Sequence, residues 1–377
     1  MNRKPLPWVR GRGLERLLAR ETNISDLIQL LTDRDPSPWA DLVGFVPDDI
    51  AREALKSDNN ADLRLTADAR SAVVEVKLGH LMSAEQQAAY ELIKTGPDLY
   101  LAALSSDEVR LPSDTDRWSF LSLSDLIGAW ERSSDELARL LAAEATGVLR
   151  SWDAKIAGVF SDRSSAAWEP MSALTQKFLA RVVTRRVAKD LRDRGRTAEA
   201  HVTNGGGLAM VQSWTPIRDE NEDRSFIAEI RWRELRPGGE LRFGVDFDPR
   251  PGRGEDEEVR RAAYSLARTM DAAIDYASLK AHLAEKRPEL AQLLHREKRC
   301  RPEAKGDWER VIAHGFRDAR LPDGSANNRT KTWPDFYGDG ALRHEAIADI
   351  DFGQAAALDL IELIDATLRF LSSQQPL

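Results

Sequence analysis

Residues 71–78, SAVVEVKL, are an apolar, valine-rich run that carries Glu75 and Lys77 two positions apart. Side chains of a β-strand alternate between its two faces, so these charged groups point to the same side of a sheet. The valines beside them indicate a buried strand, where an unpaired charge is costly. The run therefore predicts a buried strand with a polar site on one face.

The segments on either side predict a compact α/β unit over residues 10–130. Leucines at helical spacing predict two helices before the run, and ADLRL, followed by the turn TADAR, predicts a strand that pairs with it as a hairpin. After the run, Ser83 and Gln86 match a capping box that opens a helix. DLYLAALS then predicts a buried strand, and RWSFLSLSDLIGAWERS a further strand and helix.

A second, mixed α/β domain is expected over residues 171–377, with the first domain at 1–135 and a helical connector at 136–170. Three strand candidates are EAHVTNGGGLAMVQSW, SFIAEIRWREL and GELRFGVDFDP, and RPGGE between the last two is a hairpin turn signal. A long helix is predicted over about 255–283. AIADIDFG predicts a last strand, and a leucine-rich helix follows it.

Composition excludes several classes of protein. The chain has 377 residues, 42% hydrophobic and 31% charged, as in ordinary globular proteins. One cysteine, Cys300, cannot form a disulfide within the chain, and the histidines do not fall at zinc-ligand spacing. The sequence has neither a secretory signal nor an apolar run long enough to cross a bilayer, so we expect a cytoplasmic protein without a membrane partner. The net charge of −8 counts against a protein that coats DNA.

Asp62 begins the strand expected to pair with the apolar run, so a hairpin brings its carboxylate beside Glu75 if the register places both on one face. Two adjacent carboxylates repel each other unless a cation lies between them. Mg²⁺ suits such a pair, with Mn²⁺ as a substitute, because it keeps water in its other positions; the Val76 carbonyl is a further ligand. Lys77 beside the metal can activate water and balance a phosphate charge, which is metal-assisted phosphodiester hydrolysis.

Asp62, then EVK at 75–77, then QQAAY at 86–90, resemble the PD-(D/E)xK nuclease superfamily. The last segment resembles the Q-x-x-x-Y motif of its RecB-like members. The resemblance covers about residues 10–125, a third of the chain, and Ala61 stands where the pattern has proline. It implies an α/β (α+β) fold with a restriction-endonuclease-like αβββαβ core, followed here by the second mixed α/β domain.

The resemblance also implies roles for individual residues. It implies that Asp62 and Glu75 bind a metal ion and that Lys77 serves catalysis. It also implies that Gln86 supports the site. It further implies an acid from the first helix, for which Glu15 is the first candidate and Glu21 the second; Tyr90 is an additional site candidate. Asp58 and Asp68 compete with Asp62 for its role, and Asp68 ranks lower because it falls in the expected turn.

Two stretches of the chain are strongly basic, residues 181–196 and 295–305. Each stretch can be interpreted as a solvated helix face or loop, or as a surface that binds phosphate groups. The first is the better candidate for contacts with DNA phosphates, through Arg181, Arg185, Arg186 and Lys189. Aromatic residues are not interleaved with it, so single-strand specificity is not indicated. RNA as a substrate and a homo-oligomeric state are left open.

We therefore expect a cytoplasmic Mg²⁺-dependent nuclease that hydrolyses DNA phosphodiesters, with restriction, phage defence and repair as analogies from the family. One alternative is a binding or regulatory protein that keeps the fold without turnover, with the two carboxylates too far apart to share an ion. Another is a different enzyme built around the second half. Four aspartates of the second half alternate on strand-like segments, Asp246, Asp248, Asp349 and Asp351. We interpret them as polar residues at strand ends, because no lysine follows them at the spacing of the nuclease motif.

Overall fold

The structure is a computed structural model that describes residues 7–52, 61–80, 82–93, 96–110, 117–203, 207–217, 224–247, 257–295 and 342–374. Over these residues the fold is mixed α/β, with eleven α-helices and two sheets. Contacts divide the chain into two compact units. We call the one formed by Pro7–Glu169 and Ala173–Arg186 the N-terminal unit, and the one containing Pro170–Ser172 and Val187–Leu377 the C-terminal unit.

The N-terminal unit consists of one five-stranded sheet and the helices that cover it. Its strands are β1 (Asp49–Arg52), β2 (Leu63–Ala67), β3 (Arg70–Val76), β4 (Asp98–Ala103) and β5 (Trp118–Ser122). Its helices are α1 (Gly13–Leu18), α2 (Glu21–Arg34), α3 (Trp39–Val43), α4 (Ala84–Glu91), α5 (Leu123–Gly128), α6 (Glu136–Val159) and the first part of α7 (Lys177–Asp193).

The sheet order follows the chain, β1-β2-β3-β4-β5. The first three strands form an antiparallel meander, while β4 runs parallel to β3, and β5 parallel to β4. The predicted β2–β3 hairpin and the strands β4 and β5 are confirmed. The sequence did not predict β1, which follows a proline-containing stretch, residues 33–45, that was interpreted as a connection.

Strand β3 lies inside the sheet and is buried on both faces, which explains its almost continuous apolar sequence. On one face, Val73 joins a buried cluster with Tyr90 of α4 and Trp118 of β5. On the opposite face, Val74 and Val76 are fully buried. Helix α2 contacts β1 and β3, and α5 contacts β4 and β5, so β3 is held between packed layers.

Residues 136–170 differ from the connector that the sequence suggested. Most of this stretch is α6, which contacts α1, α2 and α5 and belongs to the N-terminal unit. Leu149, Trp152 and Ile156 are buried along one side of α6. The N-terminal unit therefore extends well past the expected boundary at 135, because α6 packs against it.

The C-terminal unit has a six-stranded antiparallel sheet in the order β10-β11-β9-β8-β7-β6. Its strands are β6 (Thr197–Val202), β7 (Ala209–Pro216), β8 (Arg224–Trp232), β9 (Gly239–Phe247), β10 (Leu294–His295) and β11 (Leu342–Ile350). Its helices are the end of α7, α8 (Glu257–Met270), α9 (Tyr276–Lys286), α10 (Pro288–Leu293) and α11 (Ala357–Ser373).

Two predicted elements of the C-terminal unit are each divided in the structure. The first strand candidate is two strands, β6 and β7, which pair with each other. The expected long helix over 255–283 is interrupted between α8 and α9, where the Asp275 side chain accepts backbone N–H groups of Ala277 and Ser278 and opens α9. Helix α11 contacts β7 and β8.

Candidate functional site

The β2–β3 hairpin places Asp62 directly beside Glu75. Its turn has only two residues, and Asp68 lies in it with a positive φ of 44°, away from the site. The register pairs Leu63 with Val74, so Asp62, one residue earlier, stands opposite Glu75, one residue later. Cross-strand neighbours share a face, and the two charges interact. Asp58, the other competing acid, lies outside the described residues.

The carboxylate of Asp62 is held at the start of β2 by the backbone of β3. Its Oδ2 accepts a hydrogen bond from the Val76 N–H at 2.9 Å. Burial and the negative charge of Glu75 raise the pKa of Asp62 from 3.8 to about 7, although the Val76 N–H and Lys77 oppose the shift. Asp62 therefore carries a proton for part of the time at neutral pH.

Glu75 is almost fully buried, with 2% of its surface exposed, and both of its oxygens have donors. Gln86 Nε2 donates to Oε1 at 2.7 Å, and the Tyr90 hydroxyl donates to Oε2 at 2.7 Å. The Lys77 ammonium also contacts Oε1. A buried carboxylate is tolerated when it is paired and hydrogen-bonded, as here.

Helix α4 brings Gln86 and Tyr90 to the site from above the sheet. The Ser83 side chain accepts the Gln86 N–H at 3.0 Å, as the capping box predicts. The Gln86 side chain, in contrast, reaches Glu75 and the Tyr90 hydroxyl, the latter at 3.1 Å. The predicted Gln86 and Tyr90 thus both lie at the site. Burial and the charge of Glu75 raise the pKa of Tyr90, which keeps its hydroxyl protonated.

The first two helices place their acids differently from the expected ranking. Glu15 on α1 accepts hydrogen bonds through Oε1 from Gln176 at 2.7 Å and from the Trp152 indole at 3.4 Å. Glu21 opens α2, and its charge interacts with Asp62 and with Lys77. Of the two acids, Glu21 is therefore the one at the carboxylate pair.

Two groups of the loop after β3 hold the Glu21 carboxylate. Its Oε1 accepts the Leu78 N–H at 2.5 Å and lies 3.2 Å from His80 Nδ1. Burial would raise the pKa of Glu21, but the hydrogen bonds from His80 and from the Leu78 N–H hold it below its usual value. Sequence reasoning did not select His80, because it follows Gly79 in a loop without periodic pattern.

The basic side chains predicted on α7 do not form one open surface. Arg185 makes a two-pronged ion pair with buried Asp107, at 2.9 and 2.5 Å, and donates to the Gly79 carbonyl at 3.1 Å. The Arg186 guanidinium lies 3.9 Å from the centre of the Phe160 ring. Lys189 pairs with Asp193 one turn along the helix. These three side chains therefore have structural partners within the chain.

Arg181 interacts electrostatically with Glu21, an acid of the site. It is partly buried, and its charge interacts with those of Glu21 and Arg185. Burial and the neighbouring Arg185 lower the pKa of Arg181, and Glu21 opposes this change. A guanidinium stays charged in proteins, so this one adds a positive charge beside Glu21.

Acids of the C-terminal unit have contacts of a different kind. Asp246 near the end of β9 accepts from the Trp214 indole at 3.1 Å, and Asp349 on β11 pairs with Arg233. Asp351 accepts the Gly353 N–H at 2.8 Å in the turn after β11. Asp248 lies outside the described residues, as does the basic stretch 295–305 apart from His295.

The carboxylate pair fits a hard cation in its chemistry. Burial and the repulsion between Asp62 and Glu75 favour a positive charge between them, and Lys77 supplies one at Glu75. No group of three or more acidic, histidine or cysteine side chains in the described residues is arranged to hold a metal ion. An ion at this pair would therefore take water or substrate oxygens for its remaining positions, as Mg²⁺ does.

Comparison of the chain with models of protein families, with curated proteins and with solved structures finds no match. Function is therefore inferred from the geometry of the site. Over the described residues, the helices are all too short or too polar to cross a bilayer.

Proposed function

We propose that the protein is a metal-dependent nuclease of the PD-(D/E)xK type that hydrolyses DNA phosphodiester bonds. The observation that carries this proposal is the register of the β2–β3 hairpin, which sets Asp62 beside Glu75 with Lys77 on the same face. The order of elements supports it, since α2, the meander β1–β3, α4 and the parallel strand β4 follow the αβββαβ pattern.

Each side chain has a distinct part in the proposed reaction. Asp62 and Glu75, together with the Val76 carbonyl, would hold Mg²⁺, which when bound would supply Lewis-acid activation of the phosphate and of water. Gln86 and Tyr90 fix the Glu75 carboxylate through their hydrogen bonds to its two oxygens. Lys77 orients the attacking water and offsets charge on the phosphate.

Arg181 is proposed to contact a phosphate of the DNA backbone. It is partly buried, and its positive charge interacts with Glu21, an acid of the site. A guanidinium binds phosphate oxygens through two parallel N–H groups. We expect Arg181→Ala to raise KM for DNA more than it lowers kcat, with a weaker dependence of binding on salt.

The alternative, a binding protein that keeps this fold without turnover, expects carboxylates too far apart to share an ion. The hairpin register and the interaction between the two charges favour the catalytic interpretation. The two proposals differ in one measurable property, which is metal-dependent turnover.

The test is cleavage of supercoiled and linear DNA with Mg²⁺, Mn²⁺ or EDTA. We compare the wild type with Glu75→Gln and Lys77→Met, which preserve side-chain length. Glu85→Gln is the matched control, because Glu85 is an exposed acid of helix α4, directly before Gln86 in the chain. Metal-dependent cleavage that both site variants lose and the control keeps supports the proposal. Cleavage that survives Glu75→Gln contradicts it, and nicking of the circle separates endonuclease from exonuclease action.

A further inference from the structure

The pairing of His80 with Glu21 is the feature of the site that the proposed roles leave unused. The imidazole Nδ1 lies 3.2 Å from Glu21 Oε1, and 58% of the His80 side chain is exposed. An ionised carboxylate only accepts hydrogen bonds, so Nδ1 is the donor in this pair. The ring is therefore oriented with Nε2 as its other nitrogen, free of this contact, as in catalytic pairs of histidine and carboxylate.

The same carboxylate oxygen ties His80 to the proposed catalytic strand. Glu21 Oε1 also accepts the N–H of Leu78, the residue directly after Lys77, and Glu21 interacts electrostatically with Asp62 and Lys77. The imidazole, in the short loop that leaves β3, is therefore connected to the carboxylate pair through Glu21.

That loop is fixed by the first part of α7. Gly79 has a φ of +74°, and a Cβ there would lie 2.7 Å from the Phe178 Cβ. Arg185 donates to the Gly79 carbonyl at 3.1 Å while it pairs with buried Asp107. A position held by packing and by a buried ion pair suits a group that must meet a substrate atom.

Other proton-bearing groups at the site have different tasks. The Lys77 ammonium contacts Glu75, and the Tyr90 hydroxyl donates to Glu75 from a buried position. Arg181 is a guanidinium, which does not give up its proton in proteins. Hydrolysis of a phosphodiester expels an alkoxide, and protonation of this leaving oxygen by a positioned acid speeds the reaction by about 10²–10⁴-fold.

We propose that His80, positioned by Glu21, is the general acid of the proposed nuclease reaction. The oxygen of the attacking water forms the new bond to phosphorus, and the bond from phosphorus to the leaving nucleoside oxygen breaks. The leaving oxygen takes the proton from His80 Nε2, and the proton of the attacking water passes to solvent, which later reprotonates the imidazole. The inference rests on the proposed nuclease function.

The test compares two oligonucleotide substrates that differ in one atom. The ends produced by the wild type identify the leaving oxygen, and the second substrate carries sulfur at that bridging position. A thiol ionises far more readily than an alcohol, so a thiolate leaves without an acid. Single-turnover rates are measured for the wild type, His80→Gln and Glu21→Gln.

The matched control is His201→Gln, since His201 forms a comparable exposed pair with Glu199 at 2.8 Å in the C-terminal unit. We expect His80→Gln to slow cleavage of the oxygen substrate by about 100-fold and that of the sulfur substrate by less than about threefold. Glu21→Gln should give a smaller loss with the same selectivity, and the control should cleave both substrates normally.

Each other result has a definite meaning. Equal losses on both substrates would assign His80 a structural role and overturn the inference, as would no loss on either, while the nuclease proposal stands in both cases. A wild type that cleaves neither substrate with any metal overturns the nuclease proposal and this inference with it. Normal cleavage of the sulfur substrate by His80→Gln also shows that the variant is folded.

Discussion

Replacement of Asp62 by asparagine should stabilise the metal-free protein while it abolishes cleavage. Asparagine keeps an oxygen that accepts the Val76 N–H but removes the charge that burial and Glu75 make unfavourable. The pKa of Asp62 rises from 3.8 to about 7 on folding. At about 1.4 kcal/mol per pKa unit, ionised Asp62 destabilises the fold by roughly 4 kcal/mol, an upper value because the carboxylate is partly exposed and water screens it.

The folded protein holds the Asp62 proton more tightly than the unfolded chain does, and this sets how the free energy of unfolding changes with pH. Below about pH 4 the carboxyl is protonated in both the folded and the unfolded chain, so its charge costs nothing. As the pH rises from 4 to 7, the unfolded chain loses this proton first, and the stability of the wild type falls. The gain from Asp62→Asn should therefore grow from near zero at pH 4 to a few kcal/mol at pH 8.

Urea unfolding between pH 4 and 9 in EDTA measures this difference. Asp98→Asn is the control, because Asp98 is an exposed acid at the start of β4 in the same sheet. A gain that does not change with pH, or that appears equally in the control, would refute the reasoning. Added Mg²⁺ should raise the stability of the wild type and leave that of Asp62→Asn unchanged.

Three further substitutions test how the site is held. Tyr90→Phe removes a hydroxyl that donates to buried Glu75, so urea unfolding should show a loss of about 1.5–3 kcal/mol, and an unchanged midpoint would contradict this. Arg185→Met removes the two-pronged ion pair of buried Asp107 and should cost about 3–5 kcal/mol, whereas Lys189→Met, in an exposed pair, should cost less than about 0.5 kcal/mol; similar losses would argue against the importance of the buried ion pair. Gly79→Ala should lower the melting temperature and the rate of cleavage together, since it forces a left-handed residue and Phe178 to shift; a normal rate would show that the loop tolerates the move.

Local pattern was sufficient to predict the hairpin that carries the centre of the site, but it left the register open because β3 is apolar on both faces. The two-residue turn between β2 and β3 belongs to a register in which Asp62 faces Glu75. The spacing from Ser83 to Gln86 and Tyr90 predicts a helix that starts just after the strand and returns over the sheet. These features depend on residues close in sequence, so their geometry follows from strand and helix periodicity.

Other parts of the site depend on contacts between distant residues. The choice between Glu15 and Glu21 depends on Gln176 and Trp152, which bind Glu15 from far along the chain. Arg185 reads as an exposed basic residue of an amphipathic helix until its partner Asp107, 78 positions away, is known. Sequence periodicity carries no information about such pairs, and the same limit explains why α6 was assigned to a connector.

The two carboxylates at the centre of the site have opposite surroundings, although the same role is proposed for both. Glu75 is contacted by Lys77, Gln86 and Tyr90, so both of its oxygens have partners within the fold. Asp62 accepts a hydrogen bond from the Val76 N–H, and burial together with the neighbouring Glu75 makes its charge unfavourable. A cation bound between them, as proposed, would relieve that repulsion and displace the proton of Asp62. The free energy lost by ionising Asp62 in the metal-free fold would then be recovered on metal binding.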